Sequence, residues 1–377
     1  MRFLAAVFSV FFLFCYSLPA EPVSAPAAAI ASSLDDNFLA AQVLLTGIDG
    51  KAVLSAAQKT LLEKIPAGGI MLFRYNLDSA KEEVKNFLSG AAAAVSAGSG
   101  IPPFMAVDHE GGLVHRFGPG VEKLPSAFSF WELARKEGRD AALHNADTLY
   151  RFSAGEIREL GITLVLGPVA EMLNDDNRLF LETRSYGSDP DFVQDAASVY
   201  IKNMDAAGIA CVVKHFPGNT ASDPHSGASI LRGGKAALDE IVKPFAGLIR
   251  DFPPSAVMLS HVMVPALDPN RNASLSAPVI NDWLRGELGF NGVILADDFS
   301  MGAVAASGLS PAGAAVEALR SGVDMIMAWP GNVNEIHTAI LRAMSDGRLP
   351  RGRLLEAAGR IIEEKIRYGL INPAESL

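Results

Sequence analysis

From Phe38 onward, short apolar runs alternate with longer stretches of helical period, and the alternation continues to the end of the chain. Eight runs have strand character, at 42–46, 69–73, 104–108, 163–168, 210–215, 256–261, 292–297 and 324–328. Helix-like stretches lie between and after them, among them 79–95, 191–207, 235–250, 311–321, 333–344 and 351–368. Repeated β-α units of this kind build a parallel sheet covered by helices. An open, doubly wound sheet has the same rhythm, but no glycine-rich phosphate loop comes after the first strand here. The pattern shows neither an internal repeat nor a second domain. It therefore predicts an α/β fold, a single (β/α)8 TIM-type barrel over residues 35–377.

In such a barrel, chemistry gathers where strands end and βα loops begin. Asp108, Lys214, His215, His261, Asp297 and Asp298 all fall at the C-terminal ends of predicted strands. Strand ends are wet, so solvation alone accounts for any one of them. Six at equivalent places predict a functional rim.

Three segments carry most of this polarity. The densest is KHFPGNTASDPHSG, residues 214–227, in which Asp223 and His225 stand two apart around Pro224. A carboxylate there is close enough to accept a hydrogen bond from the imidazole, fixing its tautomer and raising its basicity. That is the form of a general acid/base pair, although a turn-capping Asp beside an exposed His has the same spacing. In GVILADDFSMG, residues 292–302, an apolar strand stops at two adjacent carboxylates. Neighbouring strand residues point oppositely, so one is expected to face the barrel mouth and the other its surroundings. Asp297 is the candidate nucleophile, with a magnesium site as the competing reading. In AVDHEGGLVHRFGPG, residues 106–120, Asp108 ends the third strand ahead of a Gly111-Gly112 turn. Asp108 suits sugar hydroxyls as an acceptor, and Arg184 in RSYGSDP offers donors in a rigid fork. Both also suit structural ion pairs.

Charge and composition narrow the partners. With 32 basic and 42 acidic residues the net charge is −10, and no basic cluster with interleaved aromatics is present. That argues against nucleic acid as a partner. No His/Cys/carboxylate cluster has zinc spacing, so no metal is expected. At the N-terminus Met1-Arg2 precedes an uncharged apolar run, 3–18, and the small residues Ala20 and Ala25 come after it. This reads as a secretory signal peptide over residues 1–20 with cleavage near 20 or 25. A membrane anchor fits the same run less well, because a span needs about 20 apolar residues, and Cys15 leaves a lipoprotein signal open. Residues 21–34, rich in Ala, Pro and Ser, read as a tether with too little apolar content to join a core. The expected location is thus exported, periplasmic or extracellular. Membrane contact is confined to an N-terminal anchor. After processing, Cys211 is the sole cysteine, which excludes an internal disulfide.

Taken in order, DHEGG, RSYG, KHFPG with DPH, and ADDFSM, joined by SHVMVPALDP and ASLS around His261 and Ser274, resemble a known family. The likeness is to the bacterial β-N-acetylhexosaminidases of glycoside hydrolase family 3 and runs from about Phe38 to the C-terminus. The resemblance implies that Asp297 is the nucleophile, His225 the acid/base and Asp223 its partner. It assigns Asp108, Arg116, Arg184, Lys214 and His215 to the non-reducing sugar. It also implies a carbohydrate substrate and no metal or organic cofactor. Three departures stand out: the 218–225 loop is two residues shorter than the common form, Leu113 replaces a frequent Arg, and His109 a frequent Gln.

The expected reaction is retaining, exo-acting hydrolysis of terminal β-linked N-acetylglucosamine. Most retaining glycosidases pair two carboxyl groups. An imidazole with an unperturbed pKa of about 6.5 donates a proton near neutrality without a large upward shift. Three rival readings remain. A phosphorylase is one, since a neutral imidazole does not repel phosphate. The others are a β-glucosidase of the same family and an exported sugar-binding protein.

Overall fold

The protein is described by a computed structural model over residues 23–221, 229–300 and 308–376. The proposed signal peptide lies outside the described residues. The apolar runs form eight parallel strands: β1 (Leu44–Gly47), β2 (Gly69–Leu72), β3 (Phe104–Gly111), β4 (Leu164–Val169), β5 (Ala210–Phe216), β6 (Ala256–Leu259), β7 (Val293–Ala296) and β8 (Met325–Ala328). Each pairs with its neighbour in sequence, and β8 pairs with β1, so the sheet closes into a barrel. Closure explains why the strands read as unbroken apolar runs: one face lines the barrel interior and the other lies under helices.

The helices arise from local chemistry. In Lys81–Ser99 the buried positions Val84, Phe87, Leu88, Ala91, Ala94 and Val95 form one stripe, and left-handed Gly100 ends the helix. Pro311–Ser321 starts with proline in its first turn, and the Ser310 side chain accepts the Gly313 amide. The stretch expected as one helix at 235–250 is two, Lys235–Ile241 and Lys243–Asp251. Pro244 has no amide hydrogen to continue the first and sits in the opening turn of the second.

The tether expectation is corrected. Residues Ala25–Ser33 form a helix, with the Ser24 hydroxyl accepting the Ala27 amide. Its Ala27, Ile30 and Ala31 are buried in the main core. It packs on the last long helix, Arg351–Arg367, where a Cβ on Gly359 would stand 3.1 Å from Val23. Alanines are small but apolar, and one isoleucine at the right phase suffices to dock the helix. Val23 and Ser24 border a cavity with Pro253, Pro254 and residues 289–292, the segments that lead into β6 and β7. This end of the chain therefore sits at the base of the barrel.

The base carries its own buried charges. Asp324, ahead of β8, accepts from Arg285, Arg353 (2.7 Å) and Arg360 (3.0 Å), and from the Ile294 amide. Lys365 is fully buried and donates to Gln42 Oε1 at 2.9 Å. Among the described residues no helix is long and apolar enough to cross a membrane.

Candidate active site

β3 runs three residues beyond Asp108, and its alternation decides which side chains reach the barrel mouth. Asp108 and Glu110 face the cleft, while His109 between them points outward into the protein, its Nε2 2.7 Å from Ser153 Oγ. The His109 substitution therefore leaves the cleft lining alone. Burial, aided by His115, depresses its imidazole to about 3, so it is neutral. Leu113 is exposed, and Arg116 carries the Asp108 contact through Nη2 at 3.1 Å.

The two carboxylates meet three cations. Lys214 Nζ donates to Asp108 Oδ1 at 2.8 Å and lies 2.6 Å from Glu110 Oε1. Arg184 grips Glu110 as a fork, Nε to Oε2 at 2.8 Å and Nη2 to Oε1 at 2.9 Å. Burial alone would raise both carboxyls. Lys214 with Arg116 outweighs it at Asp108, and Lys214 with Arg184 at Glu110, so both are held below the usual carboxylate range. Burial likewise opposes the charge on Lys214 and Arg184, and the facing carboxylates overcome it. The cluster is thus fully ionised and preorganised.

Lys214 and His215 are neighbours, which by strict alternation would face opposite ways. Both line the cleft. The register against β6 slips between Val213 and Phe216, a bulge that adds one residue to β5 and re-aims the side chains beyond Val213. His215 is held by buried Glu171, just past the end of β4. Glu171 Oε1 lies 2.6 Å from His215 Nδ1, Oε2 accepts the Asn219 amide at 2.6 Å, and Oε1 accepts Asn219 Nδ2 at 3.0 Å. A carboxylate accepts only, so His215 Nδ1 carries the proton in this contact. The same carboxylate thereby secures the first residues of the 218–225 loop.

Opposite this wall, Asp297 and Asp298 both border the cleft, rather than only one of them. They lie beyond Ala296, where β7 ends and its alternation no longer applies. Asp298 is taken up locally by Ser300, whose amide donates to Oδ1 at 2.8 Å and whose hydroxyl donates to Oδ2. Among the described residues, Asp297 accepts the Asp298 amide at 2.9 Å, which orients its carboxylate. His261 is buried beneath, 3.0 Å from the Asp298 carbonyl and 2.7 Å from Ser274 Oγ, and burial lowers its pKa. It shapes the turn rather than the cleft lining. Among the described residues no group of three His, Cys, Asp or Glu side chains is disposed to hold a metal.

The structure thus gathers Asp108, Arg116, Arg184, Lys214, His215 and Asp297 around one cleft. Asp223 and His225 lie outside the described residues. Sequence reasoning did not single out Glu110 or Glu171. Both were within reach of its own rules, Glu110 two residues along the strand from Asp108 and Glu171 the first charged residue after the fourth apolar run. The remaining wall is aromatic, with Phe73 and Trp329 at the ends of β2 and β8.

A closed barrel whose mouth gathers an ionised cluster across from the Asp297 carboxylate has the form of a barrel enzyme's active site. The family model for the glycosyl hydrolase family 3 N-terminal domain matches residues 40–363, and the chain belongs to that family. It is 34% identical over 279 residues to a β-hexosaminidase of Idiomarina loihiensis, covering 73% of this chain and 80% of that protein. A β-hexosaminidase of Stenotrophomonas maltophilia is 32% identical over 326 residues, covering 84% and 91%. Among solved structures, a family 3 β-N-acetylglucosaminidase of a Paenibacillus species superimposes with a TM-score of 0.83 at 28% identity. That match covers 90% of this chain but spans 63% of the longer Paenibacillus chain.

Proposed function

We propose that the protein is a retaining β-N-acetylhexosaminidase that removes terminal β-linked N-acetylglucosamine from the non-reducing end of its substrate. The observation that carries this reading is the cleft itself, where Asp108, Arg116, Arg184, Lys214 and His215 converge opposite Asp297. The names of the family relatives support the choice of sugar. In this reading Asp108 accepts from sugar hydroxyls while Lys214, Arg116 and Arg184 donate to their oxygens. Asp297 attacks the anomeric carbon as the bond to the leaving oxygen breaks, and His225, oriented by Asp223, protonates that oxygen. His225 then takes a proton from water, which attacks the anomeric carbon and releases Asp297 as a carboxylate. We further propose that the enzyme works outside the cytoplasm, on the strength of the apolar run 3–18.

Aryl glycosides of N-acetylglucosamine, glucose and xylose, each assayed with and without phosphate, test the activity. Turnover confined to N-acetylglucosamine and indifferent to phosphate is expected. The roles are separated by the leaving group. His225→Ala should severely slow glycosylation by a disaccharide while sparing that by a nitrophenyl glycoside, and Asp297→Asn should abolish both. Equal losses on both substrates in His225→Ala, read by pre-steady-state kinetics, would remove the proton-donor role.

A further inference from the structure

The wall of the cleft facing the charged cluster has a different chemistry. Phe73 and Trp329 close it with ring centroids 4.9 Å apart, and Tyr75 stacks on Phe73 at 5.6 Å and 15°. Tyr75 lies outside the cleft and is 48% exposed, so the run of rings continues from the lining onto the surface. An exposed ring is ordinarily loose, but this one is fixed. Its hydroxyl donates to the Ile48 carbonyl at 3.1 Å. Beside it, fully buried Asn76 donates to the Ile48 and Gly50 carbonyls and accepts the Phe73 amide at 2.8 Å. Asn332 accepts the Trp329 amide in the same way, at 2.7 Å. Gly47 at the end of β1 leaves the room: a Cβ there would stand 3.3 Å from Phe73 and 3.5 Å from Trp329.

The two walls call for different parts of a sugar. The charged wall matches hydroxyls, and the rings match the C–H face of a pyranose. A platform that begins inside a cleft for one terminal sugar and runs outward, on rigid supports, serves the next ring along. We propose that Trp329, Phe73 and Tyr75 form a stacking subsite for the leaving sugar, and that the natural substrate is therefore a β-linked glycan whose second residue is also a pyranose. This rests on the glycosidase reading above and names the group it releases.

The test compares the β-linked N-acetylglucosamine disaccharide with N-acetylglucosaminyl fluoride, which has no second ring. In Tyr75→Ala, kcat/KM should fall about tenfold further for the disaccharide than for the fluoride. Tyr75→Phe keeps the ring and should stay within about twofold of the parent in that ratio. A ratio near one in Tyr75→Ala, or equal ratios in the Ala and Phe variants, would overturn the subsite. A thio-linked disaccharide, which binds without being cleaved, separates this proposal from the reading beneath it. Weaker thio-disaccharide binding by Tyr75→Ala, in a protein that hydrolyses no N-acetylglucosaminide, would sink the hydrolase reading and keep the platform. Unchanged binding would sink the platform whatever the protein hydrolyses.

Discussion

Glu110 is the side chain on which the charged wall depends most. It touches both Lys214, which is buried and shares its charge with Asp108, and Arg184, which is partly buried. Its carboxyl is held well below the usual range, so its contribution to stability is fully present above pH 4.5 and is lost only as the pH falls through the lower folded value. Replacing it by Gln keeps the shape and removes the charge that compensates two cations. Glu110→Gln should cost roughly 3 kcal/mol or more, read as a lower urea midpoint at pH 7, and should raise KM. A midpoint within experimental error of the parent would mean that Asp108 alone balances the cluster. Residues such as Asp108 and Asp297 were legible in the sequence because a strand end exposes them whatever the loops do. Lys214 and His215 were legible as strand-end residues too, but the strand pattern did not show that both line the cleft, since this depends on a bulge set by the partner strand, and no local pattern announces a slip in register.

The elements show the same division. All eight strands are recognisable in the sequence within about three residues of their ends, because burial on both faces leaves an unbroken apolar run. The helix Ala25–Ser33 was not, because its composition is that of a linker and its stability comes from a surface more than 300 residues away. Docking of Ala27, Ile30 and Ala31 makes this helix part of the domain, and burial of Ile30 alone contributes on the order of 2 kcal/mol. A chain beginning at Val23 should match the full chain in thermal midpoint, while one beginning at Leu34 should melt several degrees lower. Equal melting of the two truncated chains would return residues 25–33 to the role of a tether.

Taken whole, the barrel keeps two groups of buried charge apart, and at its base, where three arginines compensate Asp324, Lys365 has no such ionic partner among the described residues. Burial alone brings the Lys365 ammonium down to about 7, with Gln42 as its hydrogen-bond partner and the Phe104 ring 5.8 Å away. Below pH 7 the folded protein bears the cost of a buried cation. From pH 7 to the ordinary lysine value of 10.5 the unfolded chain binds a proton that the folded one does not, and stability rises with pH. Neighbouring Glu364, raised by burial to about 7, acts in the separate window from pH 4.5 to 7, where stability falls as pH rises. The thermal midpoint of Lys365→Met relative to the parent should therefore be highest near pH 6 and decline toward pH 10. A difference that is flat across that range would show that the ammonium carries no such cost.

The seat of the first helix also gives the molecule a handle. Val23 meets the barrel beside the segments that enter β6 and β7, whereas the cleft opens where those strands end. The two points lie at opposite poles of one rigid cylinder. A bead, a fusion partner or any other support attached ahead of Val23 holds the protein like a cup by its foot, with the rim turned outward. Immobilised through that end, the enzyme keeps its mouth open to a bulky glycan that an attachment at the rim would screen.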